Sequence, residues 1–355
     1  MTLSVCLIVR DEEEALARCL NCVKKFADEI VIVDTGSKDK TVKIAENYTQ
    51  NIYVFEWCDD FSAARNFAFS KATCDYVMWL DADDVVTDEN CTRIRNLVEK
   101  GGFDMAYLLY AAAFDGDNPT FIYNRERIFL RSLDYRFSGA VHEAVVPRGK
   151  SVYSEARIDH KKIKAGEAMR NLSIYQKRIA HGISLDEREK FYYGRELLFN
   201  KMYRESAAVL EEFLTGNGWV ENKIEACLNL YHCYSELGDK QRAMQSLLKT
   251  LLYGLPRAQA CCLIGGYFMD NSDVSAAIYW YLRALDCENE VQSGAFVNTD
   301  YSEFIPCMQL CVLYDRLGDY EKANLFNERA GALKPQSAEY LHNRQYFKNK
   351  LLKEV

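Results

Sequence analysis

Long apolar runs, an excess of basic residues and paired C-x-x-C motifs are all missing from this chain of 355 residues. Leu3–Val9 is an apolar stretch of seven residues without a basic leader, and it runs directly into Arg10 and a set of acids. Neither a secretory signal nor the ~18 apolar residues of a membrane-crossing helix is therefore expected. With 44 basic against 52 acidic side chains, a net charge of −8 and a pI near 5.4, nucleic acid and anionic membrane are poor candidates for the main partner. Cys19-x-x-Cys22 has no second pair at zinc spacing, so packing is the first reading of it and a metal or redox role the second. Thirteen cysteines without a secretion signal read as reduced thiols and place the chain in the cytoplasm. No G-x-G-x-x-G or Walker loop supports a dinucleotide or P-loop site.

What is present begins with Tyr76-Val77-Met78-Trp79-Leu80, a run with strand preference that meets Asp81, Asp83 and Asp84 within four positions. Such a run reads as a buried central strand. If the chain stays extended at its end, Asp81 and Asp83 point to one side and can share a cation. Carboxylate oxygens suit hard divalent ions such as Mg²⁺ or Mn²⁺. The other reading is a solvated acidic turn before a helix N-capped by Thr87 or Asp88.

Around this strand the first half alternates strands and helices. Strand candidates are Leu3–Val9, Glu29–Asp34, Ile52–Phe55, Met105–Tyr110, Arg127–Leu130 and Arg157–His160. Helical patterns run from Asp11, a candidate N-cap, to Lys25, from Lys40 to Tyr48, and from Phe61 to Ala72. Alternation of this kind means an α/β domain with a mainly parallel sheet covered on both faces. At one strand end stands Val33-Asp34-Thr35-Gly36-Ser37, where the glycine turn allows either close approach to a nucleotide or a plain strand-to-helix connection.

Four stretches occur in the order seen in family 2 glycosyltransferases of the GT-A (Rossmann-like) fold. They are Ser4–Glu12, Ile32–Asp39, Phe61–Asn66 and Leu80–Asp84. The resemblance covers about residues 1–165. It implies a UDP-sugar donor and a divalent metal, Mg²⁺ or Mn²⁺. Asp34 would lie by the uracil ring, Arg65 by the base or diphosphate and Asp81 near the ribose, with Arg10 also in the nucleotide-binding set; Asp83 would ligate the metal. Further on, Phe137-Ser138-Gly139-Ala140-Val141-His142-Glu143 and Arg157-Ile158-Asp159-His160-Lys161 are similar to a subgroup of the family. That subgroup includes lipopolysaccharide-core glucosyltransferases and the glycocin (sublancin-type) peptide S-glycosyltransferases. By this likeness His160 completes the metal site and Gly139 belongs to the loop against the donor sugar. An inverting transfer needs a base for the acceptor, and Glu143 is the candidate. His142 either lines the acceptor pocket or hydrogen-bonds a neighbouring carboxylate.

Past about residue 165 helical periodicity takes over. Ile224, Cys227, Leu228 and Tyr231 fall at i, i+3, i+4 and i+7, as do Met244, Leu247, Leu248 and Leu251, and Leu310, Leu313, Tyr314 and Leu317. Leu237-Gly238-Asp239 before Ala243, Asn271-Ser272-Asp273 before Ala277, and Leu317-Gly318-Asp319 before Ala323 repeat one pattern, the first two 34 residues apart. The period resembles tetratricopeptide (TPR) repeats. Tyr203–Leu214 reads as a degenerate first unit with Ser206 in the alanine slot, and an insertion is expected near Glu288–Thr299. The expected organisation is a GT-A domain over 1–165, a linker helix over 166–186, and an all-α TPR-like domain over 187–355 capped by Tyr340–Val355.

Together these features point to a metal-dependent inverting transfer of a hexose, glucose or N-acetylglucosamine in type, from a UDP-sugar to a peptide or protein side chain. A Cys thiol is one such acceptor, and the repeats bind acceptor or partner. The alternatives are synthesis of glycolipid or polysaccharide, with the repeats forming a homodimer or assembly scaffold, and a non-catalytic nucleotide-binding scaffold.

Overall fold

The computed structural model describes residues 1–116, 118–163, 169–287 and 298–351. The chain divides into two compact units, Met1–Glu196 and Leu197–Val355. The expected insertion at 288–299 falls outside the described residues but for its last two positions, as do 166–168 of the expected linker and 352–355 of the capping helix.

The first unit opens with β1 (Leu3–Val9), α1 (Leu16–Val23), β2 (Glu29–Asp34), α2 (Thr41–Ala45), β3 (Ile52–Val54), α3 (Phe61–Lys71), β4 (Tyr76–Leu80), β5 (Asp84–Val85) and α4 (Asp88–Lys100). It continues through β6 (Met105–Asp115), β7 (Asn118–Leu130), β8 (Phe137–Ser138), β9 (Ala144–Val145), β10 (Ser151–His160), α5 (Arg170–Ala180) and most of α6 (Glu187–Phe199). Eight strands form one sheet in the order β3-β2-β1-β4-β7-β6-β10-β5, and β8 pairs with β9 separately. β3, β2, β1 and β4 run parallel, while β7 is antiparallel to both neighbours and β5 antiparallel to β10. This is the α/β, mostly parallel sheet that the alternation implies.

Both faces of β1 and β4 are buried, which is why these strands read as continuous apolar runs. Leu3, Val5, Leu7 and Val9 pack with Leu16, Leu20 and Val23 of α1 and Ile94 and Val98 of α4 on one face. Cys6, Val77 and Trp79 pack with Ala68 and Phe69 of α3 on the other. Each such side chain contributes about 1.5–3 kcal/mol when fully removed from water. Thr87 caps α4, accepting from the Asn90 amide, as one of the two candidates suggested.

Two local expectations are corrected. Asp11 does not cap α1, which begins at Leu16 after an uncapped Ala15. Asp11 instead adopts φ 54° and accepts from Lys38 N at 2.7 Å, while Glu12 N donates to Thr41 Oγ1 and Glu13 N to Asp39 Oδ2. The loops after β1 and β2 are laced together by these bonds and by the Glu13 carboxylate, which accepts from Lys40 N at 3.1 Å. The second correction is the length of two strands: the candidates Met105–Tyr110 and Arg127–Leu130 extend into β6 and β7, which pair antiparallel along most of their length.

The second unit contains α7 (Tyr203–Thr215), α8 (Val220–Glu236), α9 (Lys240–Lys249), α10 (Ala258–Asp270), α11 (Val274–Leu285), α12 (Phe304–Arg316), α13 (Tyr320–Leu333) and α14 (Ala338–Leu351). Its repeat has a simple physical basis. Gly238, Ser272 and Gly318 each turn the chain with φ of 77°, 61° and 77°. The next residue, Asp239, Asp273 or Asp319, then caps α9, α11 or α13 by accepting the amide three residues on. Ala243, Ala277 and Ala323 are buried where the paired helices approach closely. Ser206, the residue in the alanine slot of the degenerate unit, is likewise buried on α7.

Candidate active site

The C-terminal ends of β1, β2 and β4 open into a cleft of about 540 Å³ in the first unit, lined among others by Arg10, Thr35, Arg65, Asp81, Asp83, His142, Glu143 and His160. This is the edge at which open α/β sheets bind ligands. The sheet topology explains how residues far apart in sequence meet there. His160 ends β10, which pairs with β5 so that His160 stands opposite Asp84. Its Nδ1 lies 3.3 Å from carboxylate oxygens of both Asp83 and Asp84. Burial alone would lower the imidazole pKa, but hydrogen bonds and charge from Asp83 and Asp84 win and raise it to about 10.

Asp83, Asp84 and His160 are the three-residue cluster among the described residues whose donor atoms could share one cation. The three differ in what else they hold. Asp84 is fully buried; its Oδ2 accepts from Asp81 N at 3.1 Å and lies 3.3 Å from Arg127 Nη1, and its Oδ1 accepts from the Tyr110 hydroxyl at 3.1 Å. That carboxylate is committed to the fold. Asp83 and His160 keep partial solvent access, and a carboxylate with an imidazole suits Mn²⁺ or Mg²⁺ with water and phosphate filling the remaining positions. The residues present fit such an ion.

Around Trp79 the cleft floor is a network of charges. Arg127 lies 3.7 Å from the indole ring centroid and Arg65 4.1 Å. Arg127 also donates to the Trp79 carbonyl, and the indole Nε1 donates to the Glu126 carbonyl. Arg65 is buried and bridges two carboxylates, Nε to Glu143 at 2.5 Å and Nη2 to Asp81 at 2.8 Å. Burial pulls the Arg65 pKa down, yet Asp81 and Glu143 together raise it above its ordinary value. Burial likewise pushes Asp81 up, but Arg65 and Arg127 hold it below the usual carboxylate range. Asp81 and Glu143 are thus joined through one guanidinium.

The other residues named from sequence fall as follows. Asp34 is buried at the end of β2, with its carboxylate accepting from Gly36 N and Ser37 N, while Thr35 beside it lines the cleft. Arg10 is half exposed and 4.0 Å from Asp11. Gly139, with φ 96°, turns the chain between β8 and β9 and so aims Val141, His142 and Glu143 at the cleft. Cys19 and Cys22 are free thiols on α1 whose sulfurs donate to the carbonyls of Asp81 and Arg18, so they do not form a shared pair.

Sequence reasoning missed one wall. Arg170 and Asn171 of α5 and Tyr192 of α6 also line the cleft. His142 stacks on Tyr192 with ring centroids 4.2 Å apart, and its Nε2 lies 2.7 Å from Glu196 Oε1. The hydrogen bond to a neighbouring carboxylate, one of the two roles open for His142, is present. No motif announces Asn171, Tyr192 or Glu196, because they sit in an ordinary helical pattern.

Residues 4–158 match the Glycosyl transferase family 2 profile. A TPR repeat-containing protein of Synechococcus elongatus is 40% identical over 143 residues, which cover 40% of this chain and 35% of that protein. The SPbeta prophage-derived glycosyltransferase SunS of Bacillus subtilis is 29% identical over 147 residues, covering 40% of this chain and 34% of SunS. The chain thus spans about a third of the length of these curated relatives. Staphylococcus aureus TarS 1–349, solved in complex with UDP-GlcNAc, aligns at 14% identity over 70% of this chain and 90% of that chain, with a TM-score of 0.40. Residues 4–158 thus resemble a family 2 glycosyltransferase domain, and a helical-repeat part, α7–α14, follows them.

Proposed function

We propose that the chain transfers a hexose, of glucose or N-acetylglucosamine type, with inversion from a UDP-sugar to a side chain of a peptide or protein. The observation that carries this reading is the convergence of Asp81, Asp83, His160 and Arg65 on one cleft at the strand ends. In it, Thr35 with Asp34 behind it receives the base, Asp81 the ribose, and Arg10 the phosphate side. Asp83 and His160 would hold a divalent cation, which would supply charge neutralisation for a departing diphosphate. The acceptor approaches the edge formed by His142 and Glu143, and one of these two takes its proton.

The intact acidic and cationic set speaks against a non-catalytic scaffold, which has no use for a metal site. The TPR-like unit favours a peptide or protein acceptor over a lipid, since stacked helical hairpins commonly present peptide-binding surfaces. Among the described residues no helix is long and apolar enough to cross a membrane. A Cys thiol is one acceptor in this reading; with an ordinary pKa of ~8.5 it already supplies some thiolate near neutrality.

The test is UDP release by the full chain with Mn²⁺ from a panel of nucleotide sugars, followed by intact-mass analysis of co-produced peptides. Release from one UDP-hexose and a hexose-sized mass gain on a peptide is the expected result. Release without any peptide gain moves the acceptor to glycolipid or polysaccharide. No release and no nucleotide binding overturns the reading.

A further inference from the structure

His142 is held more firmly than a surface histidine needs to be. Its backbone is left-handed, φ 54°, a conformation that costs a non-glycine residue of order 1 kcal/mol or more and persists only where the surroundings enforce it. Arg188 Nη2 donates to its carbonyl at 3.2 Å, and Tyr192 covers one face of the ring. Glu196, 6% exposed, sits at Nε2, and the same Oε1 accepts from Asn171 Nδ2 at 3.1 Å. Burial would push the Glu196 carboxyl up, but the hydrogen bonds from His142 and Asn171 hold it down and ionised. An ionised carboxylate only accepts, so the ring presents Nε2–H to Glu196, and Nδ1 is the ring nitrogen not bonded to it. The ring lines the cleft and keeps about a third of its surface open.

Glu143 is placed differently. Its side chain is 9% exposed, and Oε1 accepts from Arg65 Nε at 2.5 Å. The backbone carbonyl of Glu143 accepts from Arg125 Nη2 at 3.1 Å. This carboxylate is tied to the guanidinium that also holds Asp81, on the donor side of the cleft.

From this contrast we infer that His142 is the base of the transfer and Glu196 the residue that positions it, while Glu143 serves to fix Arg65. The inference rests on the glycosyltransferase reading above. In the step, the O–H or S–H proton of the acceptor passes to Nδ1 of His142. The acceptor oxygen or sulfur bonds to the anomeric carbon, and the bond from that carbon to the diphosphate oxygen breaks with its electron pair leaving on UDP. The groups facing His142 are Glu196, Tyr192 and Arg188 of α6 and Asn171 of α5, with Glu143 next in the chain. Of these, Glu196 is the carboxylate bonded to the ring.

The experiment measures Mn²⁺-dependent hydrolysis of UDP-glucose and UDP-N-acetylglucosamine by the full chain, with water as acceptor, and UDP affinity by calorimetry. His142→Gly accepts the left-handed backbone and leaves room for a free imidazole. Its kcat is expected to fall about 100-fold or more, with KM and UDP affinity within about threefold, and added imidazole should restore at least about tenfold. His142→Asn, which also tolerates this backbone, gives the same loss without rescue by imidazole. Glu196→Gln keeps an oxygen at Nε2 and lowers kcat about tenfold with KM unchanged, whereas Glu143→Gln raises KM for the donor instead. Hydrolysis by both His142 variants within threefold of the unaltered chain overturns the inference, as does a loss in His142→Gly that imidazole does not relieve. If the unaltered chain binds no UDP and releases none, the glycosyltransferase reading falls and takes this inference with it. Normal UDP binding with no effect at His142 sinks the inference alone.

Discussion

The two walls of the cleft are built by opposite means. One is made of strand ends: Asp81 and Asp83 lie in the turn between β4 and β5, while Asp84 and His160 are fixed by the pairing of β5 with β10. Its charges compensate one another through Arg65 and Arg127. The other wall is a short turn, Gly139–Glu143, propped by side chains of α5 and α6. The first wall owes its geometry to hydrogen-bonded strands and tolerates change in single side chains poorly wherever a charge is buried. The second holds His142 by a few side-chain contacts, so substitutions at His142 should alter rate with little effect on the fold, whereas Glu143 shares in the buried Arg65 network.

The largest expected effect on stability tests the first wall. Arg127→Met leaves the Asp84 carboxylate buried without its guanidinium, and breaking such a pair costs about 3–5 kcal/mol. Chemical denaturation should show that loss, with an unfolded chain at the extreme; a change under about 1 kcal/mol would mean that Tyr110 and the Asp81 amide hold Asp84 without it. Asp83→Ala separates binding from folding on the same wall. Metal-dependent UDP release should drop about 100-fold or more while the melting temperature stays within a few degrees, because Asp83 carries none of the buried links that Asp84 does. Equal activity of this variant would place the metal elsewhere.

Much of the first wall was legible because strand, turn and carboxylate follow one another in a few residues. Leu80–Asp84 and Val33–Ser37 each announce a strand end with polar groups attached. His160 was legible only by resemblance, since Asp84 and His160 are 76 positions apart and nothing between them says that β10 will pair with β5. The division of labour between Asp83 and Asp84 was not readable, for it depends on Arg127, which looked like one more strand residue. The second wall was hidden for a different reason. Tyr192 and Glu196 are four apart on a helix, where an aromatic and an acid at that spacing are ordinary. The repeats, in contrast, were plain because a left-handed residue, a capping Asp and a small residue recur together. The full length of the β6–β7 hairpin was not readable because Ala111–Ala113 and Asn124–Glu126 have little strand preference.

Smaller effects sharpen the comparison at its edges. Glu196 has a folded-state pKa below its ordinary value, so its contribution to stability is present above about 4.3 and is lost as pH falls through the folded value. Melting temperatures of Glu196→Gln should therefore fall less steeply in acid than those of the unaltered chain. Equal slopes would mean that Glu196 is not ionised against His142. In the second unit, Ser272→Gly relieves the left-handed turn before α11 and should stabilise it by up to about 1 kcal/mol. A destabilised Ser272→Gly would show that the serine side chain contributes more than its backbone strain costs.

The most direct test of the central claim is calorimetric titration of the full chain with UDP, in the presence of Mn²⁺ and again with the metal chelated. One site per chain is expected, with an affinity that falls at least about tenfold on chelation and a metal dependence removed by Asp83→Ala. Absence of UDP binding, or binding indifferent to both metal and Asp83, would contradict the claim.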